Sequence, residues 1–373
     1  MTASFFNPFP EKRAFQSSLL RWYSLHKRDL PWRKTADPYK IMVSEFMLQQ
    51  TRIETVLPYY GRFLKAFPSL LRLARAPLQK VLKFWAGMGY YARARNLHAA
   101  ARIIRRDLSG KIPATKEALL TLPGFGPYTA GAVASIAFNQ RTAAPDGNVK
   151  RVLSRLVNAP ASAPSLERKR QLEFYLEDLI PERQASGFNQ ALMDLGAMVC
   201  LPVRPKCHLC PVRRFCPFTT EEKKKGIPPE RRRREEIWAI ALIENKGRFL
   251  IHRQEGKGLL GGLWQFPTLV SSPETGLGPA DDSLPAKRTL RKYLRDRFGI
   301  TTRFRNPLSP LRHEFTHIRA TLCPYLFSLA PGKSVAKTIP ALETRWVKIS
   351  GLSRYPISRA MTKVADLLNA ERR

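Results

Sequence analysis

The stretch from Leu122 to Arg151, reading LPGFGPYTAGAVASIAFNQRTAAPDGNVKR, constrains the fold more than any other part of the chain. Leu119, Leu120 and Leu122 close a short helix, Pro123-Gly124-Phe125-Gly126 turns the chain, and Pro127 takes a first helical position ahead of the small apolar run Ala130 to Ala137. The pattern predicts a helix-hairpin-helix. Glycines at 124 and 126 let the backbone approach another surface closely, and the amides opening the second helix point outward at the positive end of its dipole, which suits a phosphate. Contacts of that kind position DNA without reading its sequence. A Gly-x-Gly turn alone serves a plain helical hairpin equally well. Asp146 adds a second constraint: it precedes Gly147-Asn148 and the periodic run Val149, Val152, Leu153, Leu156, where an N-cap belongs.

The charge balance points the same way. With 64 Lys and Arg against 29 Asp and Glu the formal net charge is +35, which calls for a polyanionic partner, nucleic acid before acidic membrane. No apolar run reaches the roughly 18 residues of a membrane span, and Met1 to Arg13 lacks the apolar core of a secretory signal. The expectation is a soluble cytoplasmic, DNA-associated protein without a membrane partner. Its 373 residues are enough for two or three domains with cores of their own.

Taken in order, Glu11 to His26 carries Phe15, Leu19, Trp22 and His26 at helical spacing, and Pro31 cannot continue that helix. Asp37-Pro38 opens another through Ile41, Val43, Phe46, Met47 and Leu48, with Glu45 in its middle. A carboxylate among so many apolar neighbours is either turned to solvent or desolvated with a raised pKa, and only the second makes a general acid. On spacing alone the expectation is solvent exposure. A helix follows from Ile53 to Ala66, then two short ones between Leu70 and Gly87, and a basic helix from Ala92 to Arg106 that Gly110 ends. Helices are also predicted over Ser165 to Leu179 and Pro181 to Val199.

Four of the five cysteines fall in the spacing Cys-x(6)-Cys-x(2)-Cys-x(5)-Cys, at Cys200, Cys207, Cys210 and Cys216. This is a metal-ligand pattern rather than a disulfide framework, and spacing leaves zinc and an iron-sulfur cluster equally open. Arg204, Lys206, Arg213 and Arg214 in the same loops give it a basic surface. Glu221 to Glu236, with Lys223 to Lys225 and Arg231 to Arg234, has the composition of a linker. The expected domains are 1–217, a linker at 218–235, and 236–373. In the last, Ile237 to Ile243 and Phe249 to Ile251 flank the hairpin turn Asn245-Lys246-Gly247, a strand is expected at Thr321 to Leu329, and helices around Pro285 to Arg297 and Ser358 to Leu368.

Pro31-Trp32-Arg33, SEFMLQQT (44–51), GMGYYARARNLH (87–98), LPGFGPYTAGA (122–132), DGNVKR (146–151), FNQALMDLGAMVC (188–200) and the cysteine spacing, in that order, closely resemble the MutY adenine DNA glycosylases. The resemblance covers nearly all of 11–217 and implies an all-α helix-hairpin-helix domain with a [4Fe-4S] cluster on the four cysteines. It also implies a monomer that removes adenine mispaired with 8-oxoguanine or guanine from double-stranded DNA. Glu45 matches the general acid and Asp146 the carboxylate that supports the sugar cation, with Tyr128 and Asn148 assisting Asp146. Chemistry makes the pair sensible, since a neutral carboxylic acid protonates the leaving adenine while an ionised one stabilises the oxocarbenium-like sugar. The start of a helix is expected to favour the ionised form of Asp146. Trp32, Arg33 and Gln190 match residues lining the pocket for the extruded base, and Gln50 and Tyr90 those filling the gap in the duplex; Thr51 and Met88 accompany them in the same motifs. Gly124 and Gly126, from the turn and helix start described above, and Lys150, from its place on a helix face, are expected as DNA backbone contacts.

Residues 236–373 resemble, more loosely, the family's Nudix-like recognition domain, an α/β fold. Phe315-Thr316-His317 stands where the family has Phe-Ser-His. A hydroxyl at Thr316 can accept from the N7–H that guanine gains on oxidation. Three rival readings are weighed against these residues. Endonuclease III carries a nucleophilic lysine where this chain has Tyr128. A Nudix hydrolase needs clustered glutamates where this chain has Lys292 to Ile300. A purely DNA-binding protein has no use for both Glu45 and Asp146. Tyr128 cannot form an imine, so the expectation is a monofunctional glycosylase, with Lys150 the nearest amine to the abasic product.

Overall fold

The computed structural model describes residues 11–158, 165–218, 233–255, 258–271, 284–330 and 343–372. It divides into two compact units, Met1–Arg75 with Asn96–Ile227, and Ala76–Arg95 with Pro228–Arg373. The linker expected at 218–235 falls mostly outside the described residues. One boundary differs from expectation, because Ala76–Arg95 goes with the C-terminal unit. Its hydrogen bonds give the reason: Gln79 Nε2 donates to Gly262 O at 2.9 Å, Trp264 Nε1 to Gln79 Oε1 at 2.9 Å, and Arg95 Nη1 to Gly261 O at 2.6 Å.

The helices run α1 Lys12–His26, α2 Pro38–Leu48, α3 Ile53–Ala66, α4 Leu70–Arg75, α5 Leu78–Trp85, α6 Tyr91–Asp107, α7 Lys116–Leu120, α8 Pro127–Phe138, α9 Gly147–Leu156, α10 Ser165–Leu179 and α11 Ala185–Met198. The segment Pro181–Gln184, predicted as helix, stays outside α11, which starts at Ala185 after a turn at Glu182 and Arg183. Within the first unit, α1, α9, α10 and α11 enclose one core around Phe15, Leu19, Val152, Leu153, Leu176, Phe188 and Leu192. Asp37 caps α2 through the Tyr39 and Lys40 amides, with Pro38 in its first turn as the sequence predicts.

The hairpin of α7 and α8 forms at the expected residues. Gly124 has φ +81°, and a Cβ there would meet Asn96 Cβ at 2.6 Å and Phe46 Cε1 at 2.7 Å, so only glycine fits. Its smallness thus serves packing inside the protein. Gly126, by contrast, caps α8 in extended conformation and faces open space.

Among the described residues the second unit holds a mixed eight-stranded sheet: β1 Arg234–Asn245, β2 Arg248–Arg253, β3 Trp264–Gln265, β4 Thr268–Ser271, β5 Thr302–Pro307, β6 Leu311–Glu314, β7 Ile318–Leu329 and β8 Thr344–Val347. Its backbone is the parallel pair β1 and β7, in register from Arg234 opposite Ile318 to Glu244 opposite Ser328. Lys246 and Gly247, at φ +49° and +71°, make the tight turn joining β1 to β2. Helices α12 (Leu284–Phe298) and α13 (Arg359–Ala370) complete the unit, and α12 buries Leu290, Leu294 and Phe298 against Ile237, Ala239 and Tyr325.

Candidate active site

In the first unit a cleft of about 1120 Å³ is lined by Trp32, Arg33, Glu45, Tyr128, Asp146 and Gln190, with Gln50, Thr51, Gly124, Gly126, Asn148 and Lys150 also on its wall. The residues of this unit that the sequence assigns to catalysis, the base pocket and the DNA backbone are therefore gathered at one place, while the four cysteines lie outside its lining.

Glu45 is buried, with 4% of its surface exposed, which corrects the solvent-facing expectation. Periodicity misleads here because α2 is enclosed on every side: Tyr39 and Ile41 through Met47 are all buried. Burial raises the Glu45 pKa to about 7; the Tyr128 hydrogen bond and the Arg33 charge oppose the rise, and Asp146 adds to it.

Tyr128, the second residue of α8, donates its hydroxyl to Glu45 Oε2 at 2.8 Å and makes no such bond to Asp146, because α8 packs on α2. Asn148 Nδ2 donates to Asp146 Oδ2 at 3.1 Å. The Val149 amide donates to Asp146 Oδ1 at 2.6 Å, so the acid is the cap of α9. The pKa of Asp146 is nevertheless raised: burial outweighs the Val149 and Asn148 hydrogen bonds and the Arg151 charge, against the expectation drawn from the helix start alone.

Sequence reasoning passed over the supports of this pair. Asp194 of α11 is fully buried and accepts from Arg28 Nη2 at 2.6 Å and Arg33 Nη2 at 2.7 Å. Arg33 Nη1 donates to Gln190 Oε1 at 2.6 Å, while its buried Nε has no partner. Trp32 is fixed edge-on to Tyr60, ring centroids 5.1 Å apart. Gln49 bridges the hairpin, donating to Thr129 Oγ1 at 2.9 Å and Gly124 O at 3.3 Å. Arg151 donates to Asn148 Oδ1 at 2.8 Å, Gly196 O at 2.8 Å and Cys200 O at 2.9 Å, tying α9 to the cysteine loop. Gly196 makes this closeness possible, since a Cβ there would lie 2.6 Å from Asn148 Cβ. Asp194 alone left a signal in the sequence, as an acid inside the apolar run Leu192 to Leu195.

Cys200, Cys210 and Cys216 pack on the edge of the same core, and the charges of Cys200, Cys216 and Cys207 all act on Cys210. Among the described residues no group of three or more His, Cys, Asp or Glu stands as the ligands of one metal ion. The donor set nevertheless suits thiolates that a metal would create. Burial pushes the Cys210 thiol up to about 11, against a hydrogen bond from the Val212 backbone, and raises Cys216 against one from Phe218. Arg155 Nη1 stands 3.0 Å from Cys200 Sγ. Thiols so buried stay protonated unless a cation takes the proton's place, and N–H donors aimed at sulfur hold the resulting thiolate.

In the second unit a pocket of about 570 Å³ gathers Met88, Tyr90, Phe315, Thr316 and His317. The Tyr90 hydroxyl is hydrogen-bonded to Thr316 Oγ1. Phe315 stacks on Trp238, ring centroids 5.2 Å apart, and its amide closes a turn onto Ile318 O at 2.8 Å. Tyr90 and Gln50 both hold left-handed backbones, φ +50° and +56°.

Two family models match the chain: the HhH-GPD superfamily base excision DNA repair protein over residues 43–182, and the NUDIX domain over 239–367. The adenine DNA glycosylase of Homo sapiens is 34% identical over 416 residues, spanning 96% of this chain and 74% of its own length. That of Rattus norvegicus is 33% identical over 423 residues, spanning 99% and 80%. Among solved structures, a thermostable thymine-DNA glycosylase is 32% identical with a TM-score of 0.52, over 57% of this chain and 97% of that one.

Proposed function

The chain belongs to the MutY adenine DNA glycosylases, enzymes of base excision repair that act on N-glycosyl bonds, and from that premise we propose that it excises adenine lying opposite 8-oxoguanine or guanine. The observation that carries this reading is the buried Glu45, its pKa raised to about 7, in one cleft with Asp146.

The extruded adenine enters between Trp32, Arg33 and Gln190, since the glycosidic bond is out of reach inside the stack. Glu45 gives its proton to N7, so the base departs neutral as its bond to C1′ breaks. The cation left on the sugar faces the carboxylate of Asp146, held by the Val149 amide and Asn148; water adds to C1′ and loses its proton to the carboxylate pair. Arg33 and Asp194 fix the Gln190 amide that reads the base edge. The exposed start of α8 at Gly126 and the cleft-lining Lys150 serve as phosphate contacts. No lysine replaces Tyr128, so the product is an abasic site, released without strand cleavage.

Cys200, Cys207, Cys210 and Cys216 would hold a [4Fe-4S] cluster, which when bound cross-links the loop that Arg151 and Arg155 tie to α9. In the second unit Thr316, supported by Tyr90, accepts from the N7–H of 8-oxoguanine. The deciding experiment measures base release from duplexes containing A opposite 8-oxoguanine, A opposite G, and T opposite G. Adenine released fastest opposite 8-oxoguanine is the expected result; thymine released from T opposite G, with adenine untouched, would refute it.

A further inference from the structure

The outward face of α12 meets β5 in a cleft of about 250 Å³ lined by Arg288, Arg291, Lys292, Arg295, Thr301 and Thr302. The four cations recur at i, i+3, i+4 and i+7, which puts them on one helix face, while Leu290, Leu294 and Phe298 on the other are buried. All four are exposed, and among the described residues the only ion pair any of them makes is Arg295 Nε to Asp296 at 3.6 Å. Four like charges around one small hollow repel each other unless an anion joins them. The floor carries a second, independent sign. Thr302 is 3% exposed, and its Oγ1 has no hydrogen-bond partner. A hydroxyl left so is costly, and an anion's oxygen would supply the missing acceptor.

We propose that this groove is a phosphate-binding site that grips the backbone of double-stranded DNA, independently of the cleft around Glu45. Three arginines present planar forks that match phosphate oxygens, and Lys292 adds a compact charge. The contacts carry no sequence information; they add affinity and hold the second unit on the duplex. Among the described residues the lining holds four cations and no carboxylate, which suits phosphate oxygens rather than a metal ion.

The proposal rests on the chain's acting on DNA, which adenine release tests separately. With full-length protein, Arg288→Ser, Arg291→Ser, Lys292→Ser and Arg295→Ser are combined, and binding of an undamaged duplex is followed against salt. The salt slope of log affinity should fall in magnitude by up to about 3.6, since each of the four neutralised phosphates contributes roughly 0.9. Adenine release at saturating enzyme should not change. A variant with Arg288→Lys, Arg291→Lys and Arg295→Lys should keep the slope, and Thr302→Val should weaken duplex binding roughly two- to tenfold, the worth of one hydrogen bond. An unchanged slope in the fourfold variant overturns the proposal, as does an equal loss in the lysine variant. So does loss of binding to a free nucleoside triphosphate with the duplex slope intact, which would make the groove a nucleotide site.

Discussion

The Tyr128 hydroxyl lies 2.8 Å from Oε2 of Glu45 and donates to it when that carboxylate is ionised. One phenol thereby couples to the protonation state of the buried acid. The same bond favours the ionised carboxylate, yet burial outweighs it and leaves the pKa at about 7.

Glu45→Gln should abolish adenine release and leave duplex affinity nearly intact, because the amide keeps the shape without a labile proton. It should also stabilise the fold. A folded pKa of about 7 against 4.5 means that the native state holds its proton longer, so the Glu45 contribution is fully present below 4.5 and is lost as pH rises through 7. Above pH 7 that loss is about 3 kcal/mol, which the variant escapes. Denaturant unfolding at pH 4 and pH 8 measures it; equal stability of the two proteins at pH 8 would count against the shift.

The single-turnover rate should hold up to neutral pH and then fall about tenfold per unit above pH 7, as Glu45 ionises. Tyr128→Phe removes a group that favours the ionised form, so the alkaline limb should move to higher pH even as the maximum rate drops. A limb that stays put, or moves down, would mean that Tyr128 acts through something other than Glu45.

Asp194→Asn leaves Arg28 and Arg33 without their buried counter-ion. Breaking such a pair costs about 3–5 kcal/mol. The uncompensated Arg33 charge lowers the Glu45 pKa further, so the alkaline limb should shift to lower pH. Thermal melts and a pH-rate profile read the two effects separately, and a profile identical to the parent's would show Asp194 to be structural only.

Protein isolated without oxygen should carry iron and sulfide in equal amounts, and Cys210→Ser should lose both. Because Arg151 joins Cys200 O to Asn148 Oδ1, that loss should slow adenine release as well as loosen the loop. Stoichiometric zinc in place of iron would contradict the assignment.

How far the sequence reaches can be judged from these residues. Asp146 was legible as a cap because its signal is local, an acid just before an apolar period. The start of α2 at Asp37-Pro38 and the Lys246-Gly247 turn were legible for the same reason. Glu45 was not, since α2 has no solvent face for periodicity to reveal. Nor was the Asp194 cluster, whose partners lie 161 and 166 residues away, or the attachment of Gln79 to Gly262, 183 residues apart. The direction of the Asp146 shift needed burial as well as position, and burial is a property of the assembled cleft.

Gly196 shows where such a molecule is fragile. It meets neither base nor sugar, yet the 2.6 Å left for a Cβ beside Asn148 means that even a methyl group must push the first turn of α9, and Asp146 with it. A side chain at this one position would thus act on the catalytic carboxylate through the backbone of its own helix. The positions on which the cleft's geometry depends therefore extend beyond its lining, and a survey confined to residues that touch the substrate would pass over them.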